Sequence, residues 1–233
     1  MNARRSIYAV VPIKETSDAK RRLAPALDTR RRQELALAMF EDVLATLAGV
    51  RDLAGIIVVT ADPAAEAIAS RYGARVSSDG AREGHTGAVA AAARQLAADD
   101  MLTVPGDIPL VQTDDIGRLL EAHDDATYRD TRAFIIVPAR DERGSNALIC
   151  APAGAVPLIF GTDSFRPHLA AAKRCGIEPM VLRLPRVALD IDTPDDLALF
   201  LATPSHTRAR ALLDQWRLHP STSLPGLTRQ SIP

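Results

Sequence analysis

The stretch Thr103-Val-Pro-Gly-Asp107-Ile-Pro-Leu110 ends an apolar run at an aspartate that stands between two prolines. The residues from Met101 to Val104 have the length and composition of a buried strand. The prolines lack the backbone N–H that a continuing strand would need, so this strand is predicted to end near Asp107. Ligands of open α/β sheets bind outside the carboxyl ends of the strands. The stretch therefore predicts a functional carboxylate at that edge of a sheet.

Upstream of this stretch, strand and helix patterns alternate. The predicted strands are 7–11, 56–59 and 74–76, and the predicted helices run from Asp28 or Thr29 to about Val50, from Pro63 to Tyr72, and over 88–98. This alternation predicts a parallel sheet with right-handed crossovers. A further helix is predicted from Thr113 or Asp114 to about His123, and the polar residues 123–130 are expected to end the doubly wound part.

The alternation breaks after residue 130. Two strands, 134–137 and 147–150, are predicted in succession, followed by a helix to Cys175, a strand over 179–184, and helices from Thr193 to about Ala202 and from His206 to Trp216. We expect an α/β fold, with a mixed, mostly parallel sheet and helices on both faces. The predicted main domain is 1–204, with a smaller lobe over about 131–178 and a C-terminal helix within 205–219. Residues 220–233 are rich in Ser, Thr, Pro and Gly and are expected to be disordered.

The composition is that of an ordinary globular protein, with 233 residues, 47% hydrophobic and 24% charged. A net charge of -1 provides no global attraction to nucleic acid or to an anionic membrane. No apolar run approaches the roughly 18 residues of a membrane span, and no apolar signal region precedes Ile7. Cys150 and Cys175 have neither metal-ligand nor disulfide-framework spacing. We therefore expect a cytoplasmic protein that binds neither nucleic acid nor membranes.

The loop after the first strand, residues 13–22, is basic. Of the chain's 28 basic residues only three are lysines, and two of these, Lys14 and Lys20, lie in this loop. A lysine ammonium acts as a compact point charge on phosphate. The loop is thus a candidate phosphate site, and a solvated basic loop is the alternative interpretation.

A second acidic segment, Asp190-Ile-Asp192, also follows an apolar run. If the segment is extended, both carboxylates leave the same face. Together with Asp107 they would repel one another unless a cation lay among them, and all-oxygen ligands favour Mg²⁺ or Mn²⁺. We predict that the two acidic segments form one metal site. The alternatives are that Asp192 only caps the following helix and that Asp107 is only a turn residue.

A glycine-containing loop, residues 77–87, opens the alanine-rich helix and could offer backbone donors to a nucleotide. Asp79 in this loop is taken as a candidate nucleotide contact, with a plain connecting turn as the alternative. The sequence contains neither a Gly-x-Ser-x-Gly elbow nor a Gly-x-Gly-x-x-Gly motif, which argues against serine hydrolases and dehydrogenases. A basic loop, a strand-end aspartate and a terminal Asp-x-Asp together suggest a nucleoside triphosphate with a metal.

Five ordered motifs between about Ile7 and Leu201 resemble the guanylyltransferase family of coenzyme F420 biosynthesis. They are Val11-Pro-Ile-Lys14 with Lys20-Arg-Arg-Leu23, Pro105-Gly-Asp-Ile-Pro-Leu110, Arg140-Asp-x-x-Gly-Ser-Asn146, Phe160-Gly-x-x-Ser-Phe165 and Asp190-Ile-Asp-Thr-Pro194. The resemblance implies a Rossmann-like nucleotidyltransferase fold. It also implies an enzyme that joins GMP from GTP to a phosphorylated three-carbon acid and releases pyrophosphate.

Site residues follow from the resemblance, position by position. It implies that one or two Mg²⁺ ions are held by Asp107, Asp190 and Asp192. It further implies that Lys14 and Lys20 hold the triphosphate and act in catalysis with Asp107. The acid substrate would contact Ser145, Gly161 and Ser164. The next enzyme of the pathway is a candidate partner, and the oligomeric state is left open.

The chain departs from the family pattern at two places. The usual Leu-Asn pair is replaced around His85-Thr86, so no guanine contact is assigned there. Ser145 stands where the family usually has threonine, and the extra room favours 3-phospho-D-glycerate, then phosphoenolpyruvate, then 2-phospho-L-lactate. The alternatives are a molybdenum-cofactor or sugar nucleotidyltransferase, a GT-A glycosyltransferase, or a non-catalytic nucleotide-binding regulator. The first of these is disfavoured because residues 12–28 contain no glycine.

Overall fold

The computed structural model describes residues 6–218, which form a seven-stranded sheet with helices on both faces. The strands are β1 (Ile7–Pro12), β2 (Gly55–Val59), β3 (Arg75–Ser77), β4 (Asp100–Thr103), β5 (Ala133–Pro138), β6 (Ser145–Ala151) and β7 (Met180–Val181). The helices are α1 (Thr29–Ala48), α2 (Pro63–Arg71), α3 (Gly84–Leu96), α4 (Thr113–Arg129), α5 (Phe165–Arg174), α6 (Pro185–Ala188), α7 (Pro194–Ala202) and α8 (Arg208–Gln215). The expectations for residues 1–5 and for the tail 220–233 lie outside the described residues.

The strand order in the sheet is β3-β2-β1-β4-β6-β5-β7. The pairs β1 with β2, β1 with β4, β2 with β3, and β5 with β7 are parallel, whereas β6 is antiparallel to both of its neighbours. Parallel strands connected by helices place all their carboxyl ends at one edge. The reversed β6 brings its first residue, Ser145, to that same edge. The expected mixed, mostly parallel sheet is confirmed.

The central strands bury both of their faces, whereas the edge strands β3 and β7 are partly exposed. Ala9 and Val11 of β1 point into the larger core, which α1, α2 and α4 complete. Val10, between them, packs on the other face with residues of α3. On that second face, α5 covers β5 and β6. Burial on both faces explains why the strands read as continuous apolar runs in the sequence.

Three elements differ from the sequence-based prediction. Helix α4 continues through the polar residues 123–130 as far as Arg129, because His123 is buried on its inner face and bonds Asp100 of β4. The predicted strand 179–184 shortens to the two residues of β7, and the short helix α6 follows it. Helix α3 begins at Gly84 rather than at residue 88.

Residues 131–178, predicted as a smaller lobe, supply β5, β6 and α5, and both strands are part of the same sheet. Helix α8 lies within the predicted C-terminal segment and is held by Asp42, whose carboxylate accepts the backbone N–H groups of Arg208 and Ala209. None of the described helices combines the length and the apolar character that crossing a membrane requires.

Candidate active site

A cleft of about 970 Å³ opens at the carboxyl ends of β1 and β4. It is lined by eight of the nine residues that the sequence singled out as candidates for the site. These are Lys14, Lys20, Asp107, Ser145, Gly161, Ser164, Asp190 and Asp192. The ninth, Asp79, is not in the lining; its carboxylate accepts a hydrogen bond from Gln95 Nε2 at 2.9 Å. The geometry thus gathers the predicted site in one place and does not support a role for Asp79.

The two acidic segments are joined through their backbones. The Ile191 N–H donates to the carbonyl oxygen of Asp107 at 3.1 Å. Because Ile191 is buried in the core, the aspartates on either side of it turn toward the cleft. The turn that carries Asp107 is compact: a Cβ on Gly106 would lie 3.2 Å from the Phe40 ring. Packing therefore fixes where the strand-end carboxylate stands.

The Lys20 ammonium lies between two of the carboxylates. Its Nζ is 2.5 Å from Asp107 Oδ2 and 2.7 Å from Asp192 Oδ1. Burial alone would lower the pKa of Lys20, but attraction to Asp107 and Asp192 outweighs it and raises that pKa. For Asp192 the two effects act in the opposite directions: burial would raise its pKa, but the charge of Lys20 outweighs burial and lowers that pKa. Lys20 is therefore a fixed positive charge within an acidic site.

Asp190 occupies a different environment from Asp192. Its Oδ1 accepts a hydrogen bond from Asn146 Nδ2 at 3.0 Å, and the same amide also donates to the Val187 carbonyl. Burial raises the pKa of Asp190 to about 6, and repulsion by Asp107 and Asp192 acts in the same direction. A carboxylate whose pKa is raised because it is buried near other carboxylates is typical of a site that receives a cation.

The carboxylates of the cleft provide oxygen ligands of the kind that Mg²⁺ prefers. Asp107 Oδ1 is buried and has no hydrogen-bond partner in the described part of the chain, so one carboxylate oxygen is free to act as a ligand. Within residues 6–218, however, no three His, Cys, Asp or Glu side chains stand close enough to share a metal ion. The Lys20 ammonium lies where the charge of a cation would be needed. The donor chemistry fits Mg²⁺ on condition that Lys20 moves aside.

The basic loop is anchored by a buried carboxylate that the sequence analysis did not identify. Asp62 Oδ2 accepts hydrogen bonds from both Thr16 N and Thr16 Oγ1, each at 2.6 Å. Its other oxygen caps α2 by accepting the N–H groups of Ala64 and Ala65. Burial would raise the pKa of Asp62, but the bonds from Thr16 outweigh it and lower that pKa. Asp62 thus fixes the loop between Lys14, which is exposed in the cleft, and Lys20.

The opposite wall of the cleft carries a hydrogen-bonded group of three side chains. Ser164 Oγ donates to Ser145 Oγ at 3.2 Å, and Ser145 Oγ lies 3.0 Å from His168 Nδ1. The Ile159 N–H donates to His168 Nε2 at 3.0 Å. Burial lowers the pKa of His168 to about 4, so the ring is neutral near pH 7. The predicted substrate contacts therefore form an ordered polar wall.

The first turn of α3 forms a further side of the cleft. Thr86 Oγ1 accepts the Phe160 N–H at 2.9 Å, which ties this turn to the loop before α5. The His85 and Phe160 rings lie against each other at a tilt of 37°, with centroids 4.2 Å apart. Burial lowers the pKa of His85 to about 4, and Asp107 only partly opposes this effect. The first turn of α3 thus offers backbone N–H donors to the cleft beside a neutral imidazole.

Sequence reasoning missed three residues that shape this site: Asn146, Asp62 and His168. Asn146 ends one of the five motifs but received no role, since its amide contact with Asp190 crosses 44 positions of sequence. Asp62 reads as an ordinary helix cap, and its second oxygen bonds a loop 46 residues away. His168 lies four residues beyond Ser164 on the first turns of α5, a spacing that a helical projection could have used.

The comparisons with known sequences agree with the resemblance carried by the five motifs. Residues 7–227 match the family model described as Guanylyl transferase CofC like. A phosphoenolpyruvate guanylyltransferase of Roseiflexus castenholzii is 40% identical over 211 residues, which cover 88% of this chain and 93% of that protein. A 3-phospho-D-glycerate guanylyltransferase of Colwellia psychrerythraea is 38% identical over 193 residues, which cover 82% of this chain and 89% of that protein.

Solved structures show the same fold at low sequence identity. A 4-diphosphocytidyl-2C-methyl-D-erythritol synthase superposes with a TM-score of 0.58 and 16% identity, covering 91% of this chain and 100% of the other. A cytidylyltransferase from Leptospira borgpetersenii gives a TM-score of 0.55 and 15% identity, covering 97% of this chain and 98% of the other. The expected Rossmann-like nucleotidyltransferase fold is thereby confirmed.

Proposed function

Because the chain belongs to the family of CofC-like guanylyl transferases, we propose that it transfers GMP from GTP to a small phosphorylated three-carbon acid and releases pyrophosphate. We place this reaction in the biosynthesis of coenzyme F420, as the family resemblance implies. GTP and the acid are then its substrates, and the next enzyme of that pathway is a candidate partner that would receive the product.

One observation carries this proposal: a single cleft gathers the three predicted metal ligands, Asp107, Asp190 and Asp192, with the two loop lysines at the carboxyl edge of the sheet. Transfer of a nucleotidyl group concentrates negative charge on the α-phosphate and on the departing pyrophosphate. Positive charges and backbone donors placed around these groups stabilise that charge. No protein nucleophile is needed, because a phosphate oxygen of the acid attacks the α-phosphorus in line with the leaving group.

The two lysines are assigned to the triphosphate. Lys14 is exposed in the cleft directly after β1, and Lys20 is held nearby by Asp107 and Asp192. The first turn of α3, at Gly84 to Thr86, faces the same space and can add backbone N–H donors. GTP would thus lie between the basic loop and α3, with its α-phosphate close to Asp107.

Asp107, Asp190 and Asp192 are the residues that would hold one or two Mg²⁺ ions, with Mn²⁺ as a substitute. The bound metal would supply charge neutralisation at the attacking and leaving oxygens. For this to occur, Lys20 has to leave its place between two of the carboxylates and turn to the phosphates. The triphosphate provides the charge that would draw it there.

The acid is assigned to the wall formed by Ser145, Gly161 and Ser164. Relatives with 40% and 38% identity are named for phosphoenolpyruvate and for 3-phospho-D-glycerate, so identity does not separate these two acids. We rank 3-phospho-D-glycerate first, then phosphoenolpyruvate, then 2-phospho-L-lactate, on the room that serine leaves in place of threonine at position 145. Comparable turnover of all three acids would remove the basis of this order.

The test is pyrophosphate release from GTP and Mg²⁺, with each of the three acids added in turn and the next F420 enzyme present to trap the product. We expect release that depends on one acid and is lost in Asp107→Ala. Asp79→Ala serves as the control, since its carboxylate lies outside the cleft. Saturable GTP binding without release for any acid would refute the proposed reaction and favour a nucleotide-binding regulator.

A further inference from the structure

Of the three hydrogen-bonded side chains Ser145, Ser164 and His168, His168 is the most buried, with 1% of its surface exposed, and it does not line the cleft. Both of its ring nitrogens are nevertheless engaged. Nε2 receives the Ile159 N–H and Nδ1 lies 3.0 Å from Ser145 Oγ. A buried imidazole with two defined partners has a defined tautomer, and that tautomer can be deduced from the partners.

The deduction begins at Ile159. A backbone N–H can only donate, so His168 Nε2 must present its lone pair to it. A neutral imidazole carries one proton, which therefore resides on Nδ1. It follows that His168 Nδ1–H donates to Ser145 Oγ, and that Ser145 cannot donate to the ring. The lowered pKa of His168 agrees with a neutral ring.

The second step concerns Ser145. A serine hydroxyl has two acceptor lone pairs and one proton. Within the described residues, Ser145 Oγ is the one hydrogen-bond partner of the Ser164 hydroxyl, 3.2 Å away, so we assign the Ser164 proton to this bond; Ser164 is 4% exposed as a residue. With His168 Nδ1–H on one side and Ser164 O–H on the other, both acceptor positions are filled. Only the proton of Ser145 remains, and Ser145 lines the cleft.

We propose that His168 is a positioning residue that commits the Ser145 hydroxyl to donate a hydrogen bond to an anionic oxygen of the acid substrate. This inference rests on the proposed function, since it assigns the group that Ser145 recognises in the acid. The three acids all offer carboxylate and phosphate oxygens, which accept hydrogen bonds. Ser145 therefore strengthens the binding of any of them, and the choice among them depends on the room beside it.

The first test needs no turnover. In the full ¹⁵N-labelled chain, the His168 ring is assigned by its loss in His168→Gln, and its nitrogen shifts are followed between pH 6 and 8. We expect the neutral Nδ1–H tautomer throughout. A ring protonated on Nε2 alone, or on both nitrogens at pH 7, would overturn the inference whether or not the enzyme is active.

The second test compares two substitutions that each keep half of the ring's contacts. His168→Asn places an amide where Nδ1 stands, so it can still donate to Ser145. His168→Gln places its amide near the position of Nε2, where it can bond Ile159 but not Ser145. Loss of one hydrogen bond predicts a KM for the acid that is about 5- to 10-fold higher in His168→Gln. The rise in His168→Asn should be smaller, and KM for GTP should change less than twofold in both.

Two controls separate positioning from folding. His123 is another buried histidine, outside the cleft, and His123→Gln keeps an amide near Asp100; its KM for the acid should equal that of the wild type. In the double variant Ser145→Ala with His168→Gln, the second substitution should add no further effect, because it acts through Ser145. Equal effects of Asn and Gln, or additive effects with Ser145→Ala, would overturn the inference while leaving the proposed reaction intact. If the wild type turns over no acid, the assignment of Ser145 to an acid falls together with the proposed function, even with the predicted tautomer.

Discussion

Replacing Lys20 by methionine should destabilise the metal-free protein, and Mg²⁺ should reverse much of the loss. The substitution keeps a side chain of similar length but removes the ammonium that bridges Asp107 and Asp192 at contact distance. Two carboxylates then face each other, with Asp190 close enough to raise the repulsion further. A bound Mg²⁺ ion would then supply positive charge between the carboxylates in place of the ammonium.

The magnitude follows from how much of each partner is buried. The Lys20 side chain is 9% exposed and that of Asp107 26%, so this pair is partly buried and its loss should cost about 2 kcal/mol. The Asp192 side chain is 42% exposed, and solvent screening limits its share to less than about 1 kcal/mol. A loss of roughly 2–3 kcal/mol corresponds to a Tm lower by about 5–10 °C for a chain of this size.

The assay is thermal unfolding in buffer with EDTA and in buffer with millimolar Mg²⁺. Lys20→Met should gain more from Mg²⁺ than the wild type does, because the wild-type ammonium competes with the ion for the same oxygens. Lys173→Met is the matched control: this lysine pairs with Glu178 on the surface, 3.3 Å away, and its removal should change Tm by less than about 1 °C. A Lys20→Met protein as stable as the wild type in EDTA, or one that Mg²⁺ does not stabilise, would show that the reasoning about the charge balance is wrong.

Four other outcomes are expected. Asp190→Asn keeps the oxygen that accepts from Asn146, so in EDTA it should be more stable than the wild type by roughly 1–2 kcal/mol at pH 8. The folded pKa of Asp190, about 6, exceeds the ordinary 3.8, so wild-type stability falls as pH rises between these values; in urea unfolding, the difference in stability should therefore vanish near pH 4. Asp62→Asn should lose about 2 kcal/mol at pH 7 and raise KM for GTP, because the amide nitrogen cannot accept and either the Thr16 donors or the N–H groups at the start of α2 lose their acceptor. Since the folded pKa of Asp62 is lowered, its contribution to stability is present above the ordinary pKa and lost as pH falls through the folded one, so the two unfolding curves should converge in strong acid. EDTA should abolish pyrophosphate release and Mg²⁺ or Mn²⁺ should restore it; release that persists without divalent ions would contradict the assigned metal site. Asp79→Ala should keep kcat and KM within twofold, and a larger loss would return this residue to the site.

Much of the fold could be predicted because the central strands are buried on both faces. Strands such as β1 and β2 are continuous apolar runs, and their carboxyl ends coincide with residues that stop a strand, such as Pro12. The place of β6 could not be predicted. Which strand inserts between β4 and β5, and in which direction, depends on pairing across the sheet, and residues 147–151 of β6 are as apolar as the parallel strands.

In the candidate site, too, features set by local sequence could be predicted and contacts between distant segments could not. The positions of residues at strand ends, such as Lys14 and Asp107, could be predicted from where each strand stops, because the carboxyl ends of parallel strands lie at one edge of the sheet. Contacts between distant segments do not follow from strand ends: nothing local to Asp62 indicates Thr16, and nothing local to His168 indicates Ser145. The polar end of α4 was misread for a similar reason, because the partner that buries His123 lies on β4.

The reversal of β6 has a consequence for how this enzyme could be altered. A strand that runs antiparallel to its neighbours begins at the edge where they end. The wall formed by Ser145, Gly161 and Ser164 therefore lies beside the basic loop, although separate stretches of the chain build the two. Residues 139–164 carry that wall, and they connect to the rest of the domain through β6 in the middle of the sheet rather than through the basic loop. Exchanging this stretch between relatives should transplant the preference for one acid and leave the machinery for GTP in place, provided that the contacts of Asn146 with Asp190 and of Phe160 with Thr86 are kept.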